Sequence, residues 1–459
     1  MYKFSFKQLF LTFCVLILQS SLVSADSNPW RVNEAYKLPE WLSISGSHRM
    51  RFESLDQQFR ATRSGDDQIF LFRTLLLTEI KLDGIKFGME MEDSRQELAD
   101  SSTPLNTTVV NPLELLQAYA EIEIDDLFFT GSKSTLRGGR ITMDVGSRRL
   151  VARNRYRNTL NAFTGVDWQW SGADNSKFRL FYTLPVQRRV SGNILSNEAR
   201  IDKERDDVRF WGIYYSPSTL PWGGEADKGE VYLFGLNEND SADLTTANRD
   251  IYTTGFRFFR KPAVNKFDYQ LESILQFGES RASRTATTDL DHFAHYQHAA
   301  LGYTFDTTWT PRLIAQYDYA SGDDNPADGD NNRFSTLFGA RRFEYGPTSI
   351  YGAFARANIS SPGVRLIVKP QKRLNLMIAL RGFWLASADD AWTTAGIRNA
   401  AGQSENYIGS QIETRLRWDI IPKNLRLEAG AAHIFSGDLM NNAGKQDVSY
   451  FYTQASLSF

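Results

Sequence analysis

The chain has 459 residues, with 52 basic and 54 acidic side chains, a net charge of −2 and one cysteine, Cys14. This near-neutral balance gives no indication of nucleic-acid binding. Because Cys14 lies in the N-terminal apolar run described next, the chain beyond it can form no disulfide and has no cysteine metal ligand or thiol nucleophile.

The first 25 residues are predicted to be a secretory signal peptide. Lys3 and Lys7 precede an apolar run from Leu9 to Leu18, and residues 23–25, Val-Ser-Ala, suit signal-peptidase cleavage. The run is shorter than the ~20 apolar residues that a spanning helix needs, so an N-terminal anchor is the minor alternative. Residues 26–40 then form a periplasmic N-terminal segment that is too short to be a plug domain.

Alternation of apolar and polar side chains with period 2 recurs from Trp41 onward. In residues 41–54 one face is apolar and the other carries Arg49, Arg51 and Glu53. The same pattern continues in residues 69–82, 85–95, 267–278 and 408–420, and the last of these places Ile408 and Ile412 on one apolar face. Segments of about ten residues with this period are typical of tilted transmembrane strands.

The connections between these segments alternate between short and long. The short ones contain Gly, Pro, Asn or Asp, which favour turns. They are 82–84, 171–176, 261–266, 306–311, 370–373 and 421–424. The long polar ones include 94–114, 144–161, 187–206, 279–291, 321–361 and 387–406. Short turns on one side and long loops on the other are typical of an outer-membrane barrel with extracellular loops.

Counting hairpins predicts about 18 strands with both termini periplasmic. Residues 333–361 are interpreted as a folded loop, because their polarity does not alternate cleanly. The last segment alternates and ends on Phe459, and a terminal aromatic is the usual assembly signal of such barrels. The 31 Phe, 19 Tyr and 10 Trp suit aromatic girdles at the membrane interfaces.

No linker or shift in composition divides residues 41–459. The predicted fold is all-β: a single transmembrane antiparallel β-barrel over these residues, in the outer membrane of a Gram-negative-type bacterium. A barrel of this strand number is wide enough for an aqueous channel, unless loops fold in and narrow it.

The most unusual stretch is arginine-rich and runs from Arg140 to Asn161, with Asp144 as its only acid. Its arginines are Arg140, Arg148, Arg149, Arg153, Arg155 and Arg157. In a surface loop they would bind the phosphates of lipopolysaccharide. In a loop folded into the lumen they would meet a passing anion, since a guanidinium stays charged and donates two hydrogen bonds to a carboxylate. The lumen interpretation is favoured.

Arginines on the polar faces of the predicted strands support that interpretation, because rings of basic side chains are how anion pores select. They are Arg49, Arg51, Arg73, Arg179, Arg257, Arg365, Arg381, Arg415, Arg417 and Arg426. The alternative is a ladder of charges that only stiffens the wall. In that ladder the arginines would pair with Glu79, Glu90, Glu121, Glu123 and Glu413.

A second basic patch lies in the longest predicted loop, where Arg341 and Arg342 are followed by Arg356. The loop begins with SGDDNPADGDNN, which has the oxygen density of a calcium site but lacks the spacing and terminal Glu of an EF-hand. A solvated loop is the preferred interpretation and a bound calcium ion the minor one. No other cofactor and no other metal is predicted.

An enzyme is not predicted. His292, His295 and His298 cannot all ligate one metal from a strand, because His295 faces the opposite side. The sequence has no Gly-rich phosphate loop before a helix and no G-x-S-x-G elbow. A barrel hydrolase would need a His beside a Ser or Asp at the rim, and the pattern does not assemble one.

Four stretches resemble the alginate-export family of outer-membrane porins. They are MEDSRQELADSSTPLNTTVVNPLELLQAYAEI, GRITMDVGSRRLVARNRYRNTLNAFTGV, YDYASGD and FGARRFEYGPTSIYGAFARANISSPG. The resemblance implies a barrel of about 18 strands whose lumen is narrowed by loops and lined with arginines, as a path for a polyuronate chain. Carried over by motif, the path would involve Arg140, Arg148, Arg149, Arg153, Arg155, Arg341, Arg342 and Arg356.

The leading hypothesis is therefore an anion-selective porin for passive export of an anionic polysaccharide such as alginate. An uptake porin for small organic anions or acidic oligosaccharides is one alternative, and a barrel enzyme or adhesion barrel is another. The candidate pore residues are those eight arginines together with Arg49, Arg51, Arg73 and Arg365. Expected partners are the anionic saccharide, lipopolysaccharide and outer-membrane lipid, and a periplasmic secretion partner; the barrel is expected to be a monomer.

Overall fold

A closed antiparallel sheet accounts for most of the chain in a computed structural model that describes residues 29–189, 193–242, 244–400 and 404–459. Within these ranges the sheet has 18 long strands and a two-residue strand, Asp330–Asn331. The long strands, β1 to β18, are Leu42–Asp56, Asp67–Leu82, Ile85–Glu97, Asn111–Asp125, Lys133–Ile141, Phe163–Ser171, Lys177–Pro185, Val208–Ser216, Asp227–Glu238, Asp250–Arg260, Phe267–Ser280, Leu290–Thr304, Arg312–Ala320, Ile359–Gln371, Leu374–Trp384, Tyr407–Ile421, Leu425–Ser436 and Val448–Ser458.

Each long strand pairs antiparallel with the next, and β18 pairs with β1 from Ser47–Ser458 to Asp56–Ser449. This last pairing closes the sheet into a barrel. The predicted all-β antiparallel barrel of about 18 strands is thereby confirmed. The even strand number also places both ends of the barrel on the side of the short turns, as predicted.

The strands form because successive side chains point to opposite faces of the sheet, one apolar and one polar. On β11, Leu271 and Leu275 point outward and are 47% and 41% exposed, while Glu272 and Gln276 point inward and are 3% and 0% exposed. An apolar outer face with a polar interior is the pattern of a barrel that spans a bilayer.

The predicted outer face of β16 is wrong at the N-terminal end of the strand. Ile408 was expected on the outer face with Ile412, but it is fully buried inside the barrel. The pairing of β15 with β16 shifts there, from Phe383–Gly409 to Trp384–Tyr407, so the alternation changes phase. A bulge of this kind inserts an extra residue and re-aims the side chains beyond it.

The N-terminal segment lies against the seam of the barrel at its short-turn end. The Trp30 amide donates to Asn424 Oδ1 at 2.8 Å, and the Trp30 ring lies 6.4 Å from the ring of Phe459. Gly46 is required beside this end, because a Cβ atom there would lie 2.6 Å from the Phe459 ring. The predicted signal peptide, residues 1–25, lies outside the described residues.

The helices of the described ranges are single turns, at Val32–Ala35, Arg342–Tyr345 and Asp438–Asn442, with a 3₁₀ turn at Ile194–Ser196. None of them is long and apolar enough to cross a membrane.

Two loops fold into the barrel and pack on each other: residues 142–162, called the arginine loop, and residues 321–358, called the long loop. Their backbones are joined by hydrogen bonds from Phe338 to Leu150 and from Ala340 to Arg148, at 2.9 and 3.0 Å. Phe338 also packs on inward-facing Phe163 and Phe210, with centroid distances of 5.2 and 4.9 Å. The prediction that residues 333–361 are a folded loop is confirmed up to Asn358, where β14 follows.

Candidate functional site in the barrel lumen

The arginine loop is held against the barrel wall by arginines of β1 and β2. Arg49 donates to the carbonyls of residues 155–157 at 2.8 to 3.1 Å and to Asn158 Oδ1 at 3.0 Å. Arg73 donates to two of the same carbonyls at 2.9 and 3.0 Å, and Arg51 donates to the third at 2.8 Å. These three predicted pore arginines therefore position the loop, and each is at most 8% exposed.

A buried ion-pair network joins the two inner loops to the wall. Arg149 of the arginine loop pairs with Glu272 of β11 and, at 2.8 Å, with Glu344 of the long loop. Arg356 pairs with the same Glu344 and donates to the Arg149 carbonyl at 3.1 Å. Burial opposes the charged form of Arg149, but Glu344 and Glu272 outweigh it and raise its pKa above the ordinary value. Both predicted pore arginines thus hold the loops together from within.

Tyr156 of the arginine loop lies between two further predicted pore arginines. The Arg51 guanidinium is 4.0 Å from the ring centroid and the Arg342 guanidinium 4.8 Å. Arg342 also pairs with Glu413 of β16 at 2.5 Å and donates to Tyr452 at 3.2 Å. Cation–π contacts of this kind are strongest where water is excluded. They fix the long loop to the far side of the arginine loop.

Other lumen arginines form ion pairs, several of them in a charge ladder on the wall, the alternative considered from the sequence. Arg140 pairs with Glu114 and Glu204 at 2.8 and 2.6 Å. Arg153 pairs with Glu90 at 2.6 Å, and Arg155 pairs with Asp144 while remaining 59% exposed. Similar wall pairs are Arg179–Asp167, Arg257–Glu230 and Arg381–Asp318. Positive charge in this part of the lumen is largely neutralised.

A different arrangement surrounds Phe343, the second residue of the helical turn in the long loop. The exposed Arg148 places its guanidinium 5.3 Å from the Phe343 ring centroid. Arg365 of β14 donates to the Phe343 carbonyl at 2.8 Å. It is attracted by Glu413, beyond ion-pair distance, and repelled more weakly by Arg415 of β16. We call Arg148, Phe343, Arg365 and Arg415 the Phe343 cluster. Among the described residues, no carboxylate lies within ion-pair distance of its three arginines.

A second group of arginines gathers where the inner loops meet the outer loops. Arg341 lies near Arg60, and Arg157 lies near both Arg341 and Arg188. Burial, with Arg356 nearby, lowers the pKa of Arg341 to about 10; burial, with Arg341 and Arg188, lowers that of Arg157 to about 9. We call these four arginines the loop-side cluster. Within the described part of the chain, none of them forms an ion pair.

Of the loop-side cluster, only Arg341 was predicted to be a pore residue. Arg157 was noted within the arginine-rich stretch but not chosen. Arg60 and Arg188 were missed, because each lies in a polar connection between predicted strands and not on a strand face. The signals available were FRATRSG around Arg60 and the adjacent basic pair Arg188–Arg189.

The histidines face as predicted. His292 and His298 point inward, 4% and 5% exposed, whereas His295 stacks on Tyr319 at 5.3 Å on the other face. Within the described ranges, no group of three or more His, Cys, Asp or Glu side chains is arranged to hold a metal ion. In the loop considered for calcium, Arg333 forms its ion pair with Asp390 and not with Asp323. The calcium ion stays a minor prediction.

Comparison with known proteins places these features in a family. The profile described as "Alginate export" matches residues 40–454. No curated protein sequence matches the chain significantly.

The fold is shared with solved bacterial structures at low sequence identity. OccAB3 of Acinetobacter baumannii has a TM-score of 0.59 and 10% identity, over 91% of this chain and 99% of that one. OccK3 (OpdO) of Pseudomonas aeruginosa has a TM-score of 0.56 and 14% identity, over 91% and 95%. OpdK of the same organism, solved with vanillate, has a TM-score of 0.57 and 12% identity, over 91% and 99%. The chain belongs to the alginate-export family and is a porin of the outer membrane.

Proposed function

We propose that this porin is anion-selective and passes an anionic polysaccharide such as alginate. The observation that carries the proposal is the set of lumen arginines in the Phe343 cluster and the loop-side cluster that have no carboxylate partner among the described residues. Paired arginines present little net charge to a solute, whereas unpaired ones attract anions and repel cations. A guanidinium also stays charged across the physiological pH range and donates two hydrogen bonds to a carboxylate.

The two clusters draw their arginines from different parts of the barrel. The loop-side cluster contacts the loop that contains Arg60, between β1 and β2. The Phe343 cluster contains wall residues from the middle of β14 and β16, Arg365 and Arg415. The neutralised network of Arg149, Glu344 and Arg356 belongs to the same two inner loops. A polyanion crossing the barrel would therefore meet unpaired positive charge at more than one place, which favours entry without trapping.

The family supports the cargo, since its shared description is alginate export. A polyuronate carries one carboxylate on each sugar, so spaced guanidinium groups can engage successive residues of one chain. Export, rather than uptake, follows the family description alone.

A second candidate function is uptake of small organic anions. The observation in its favour is that one protein of the same fold, OpdK, was solved with vanillate, a small carboxylate. The same unpaired arginines would serve either solute, so the two functions differ in the size of ligand that blocks the pore.

Reversal potentials of purified protein in planar bilayers, under a KCl gradient, test anion selectivity. We expect wild type to favour chloride, and Arg148→Glu with Arg415→Glu to shift the reversal potential toward cation preference. Arg209→Glu is the matched control, because Arg209 is exposed on the outer face between inward-facing Val208 and Phe210. A cation-selective wild type, or an equal shift in the control, would overturn the proposal.

Block of the chloride current distinguishes the two solutes. Oligouronates that block at lower concentration than monocarboxylates support the polysaccharide, and the reverse order supports small organic anions.

A further inference from the structure

Phe343 is the aromatic residue of the long loop that remains outside the packed core. Tyr345, Tyr351 and Phe354 of the same loop are each at most 1% exposed, whereas Phe343 is partly exposed. An aromatic side chain loses favourable burial when it stays in contact with water. Its position facing the lumen therefore requires a reason other than packing of the loop.

The backbone at Phe343 is rigidly held by its two neighbours. Arg342 pairs with Glu413 of the wall at 2.5 Å. Glu344 pairs with Arg149 and Arg356, and all three are buried. Both flanking side chains are held in packed surroundings. The backbone between them is therefore fixed, and it holds the Phe343 ring in one position facing the lumen.

The charges around this ring come from four places in the fold. Arg148 belongs to the arginine loop, Arg365 to β14 and Arg415 to β16, and the buried, ion-paired Arg356 of the long loop lies 5.8 Å from the ring centroid. The Arg148 guanidinium lies over the ring, and Arg365 is anchored to the Phe343 carbonyl at 2.8 Å. Arg148 adopts a left-handed backbone conformation, with φ of 66°, which ordinary side chains avoid. Strained residues of this kind cluster at ligand-binding sites.

We propose that Phe343, Arg148 and Arg365 form a subsite for one uronate residue of the passing polysaccharide. The electron-rich face of the phenyl ring packs against the C–H face of the pyranose, whose hydrogens carry partial positive charge. The Arg148 guanidinium, exposed and without an acidic partner among the described residues, moves off the ring to the sugar carboxylate. Arg365 supplies the second positive charge from the wall.

This inference rests on the proposed function and narrows its substrate class. A guanidinium alone does not distinguish a uronate from any other carboxylate. The ring adds recognition of the sugar itself, so the subsite favours acidic sugars over small aliphatic anions of equal charge. Neutral oligosaccharides lack the carboxylate and gain only the ring contact.

The test is block of the chloride current in planar bilayers by three probes: a defined oligomer of mannuronate, maltohexaose and acetate. We expect Phe343→Ala to weaken block by the oligouronate about three- to tenfold, the size of an aromatic contact. Block by acetate and the KCl reversal potential should stay unchanged. Phe343→Trp should restore oligouronate block, while Phe343→Leu, which keeps apolar bulk without a π face, should not.

Phe293→Ala is the matched control, because Phe293 is an exposed aromatic on the outer face of β12, 58% exposed. Heat-modifiable migration on gels confirms that every variant is folded. An unchanged oligouronate block in Phe343→Ala, or block restored by Phe343→Leu, overturns the subsite. If wild type is not anion-selective, the proposed function fails instead, and the reversal potential of the same preparations shows which of the two has failed.

Discussion

The guanidinium Nη1 of Arg73 lies 3.0 Å from the backbone carbonyl oxygen of Arg155, so two residues predicted to line one path are joined to each other. The charged donor on the wall meets a neutral acceptor on the loop. A carboxylate carries a full negative charge and can bind a guanidinium with two oxygens, so it is a stronger acceptor for arginine than a carbonyl oxygen. The wall arginines thus hold the arginine loop with bonds that an anion in the lumen is able to compete for.

Weakening this attachment should make the arginine loop more mobile. Arg73→Gln removes a charged donor to two carbonyls of residues 155–157, and each such bond contributes about 1.5–3 kcal/mol. We expect more frequent current fluctuations and a higher mean conductance, recorded from single channels in planar bilayers. Arg209→Gln, on the outer face, should leave the current trace unchanged. If Arg73→Gln shows no more current fluctuations than wild type and has the same conductance, the other wall contacts are sufficient to hold the arginine loop.

Buried and exposed arginines of the same loop should differ sharply in their effect on stability. Arg149→Met leaves Glu272 without its guanidinium and Glu344 with one instead of two, and removing one partner of a buried pair costs about 3–5 kcal/mol. Arg155→Met removes a pair whose arginine is 59% exposed, which is worth about 0–1 kcal/mol. Thermal unfolding in detergent, followed by tryptophan fluorescence, should rank the midpoints as wild type close to Arg155→Met and well above Arg149→Met. Equal midpoints for both variants would contradict a structural role for the buried network.

The strands were predictable because the information for them is local. Alternation places Arg49 and Arg73 on the inner face from neighbouring residues alone, and the closing partner of β18 follows from an even strand number. The bulge at Gly409 was not predictable, since it depends on how β15 and β16 pair. Ile408 was therefore assigned to the wrong face, although its own segment alternates.

The arginines themselves were recognisable, but their partners were not. Arg149 pairs with Glu272, which is 123 positions away in the sequence. Arg148 and Arg149 are adjacent, yet one is exposed in the Phe343 cluster and the other is buried between two loops. Their difference in exposure arises from the packing of the long loop on the arginine loop. The alternation of apolar and polar residues along the sequence does not predict that contact.

Asp202, in the loop between β7 and β8, should make stability depend on pH. Burial raises the pKa of this 4% exposed carboxyl to about 6, so the folded state binds a proton more tightly than the unfolded state does. Its contribution to the free energy of unfolding is fully present at pH values below the ordinary pKa near 4, and it is lost as the pH rises through about 6. We expect Asp202→Asn to gain stability relative to wild type between pH 4.5 and 7.5, by at most about 3 kcal/mol.

The measurement for Asp202 is the difference in thermal midpoint between the variant and wild type at each pH, which cancels the other titrating groups. Asp206→Asn, at an exposed position in the same loop, is the control for replacing a carboxyl group by an amide there. A flat difference for Asp202→Asn would mean that the carboxyl is solvated in the folded protein.

Gly339 should control how closely the two inner loops pack. A Cβ atom at this position would overlap the Arg149 carbonyl oxygen, because the long loop passes directly over the arginine loop there. Gly339→Ala must push the loops apart, at a cost of about 1–3 kcal/mol for overpacking. Since both loops lie inside the barrel, we expect a larger single-channel conductance together with a lower thermal midpoint. Gly329→Ala is the matched control in the same loop, where an added Cβ meets no atom within 4 Å. If both variants conduct like wild type while only Gly339→Ala loses stability, the contact supports the fold without setting the width of the pore.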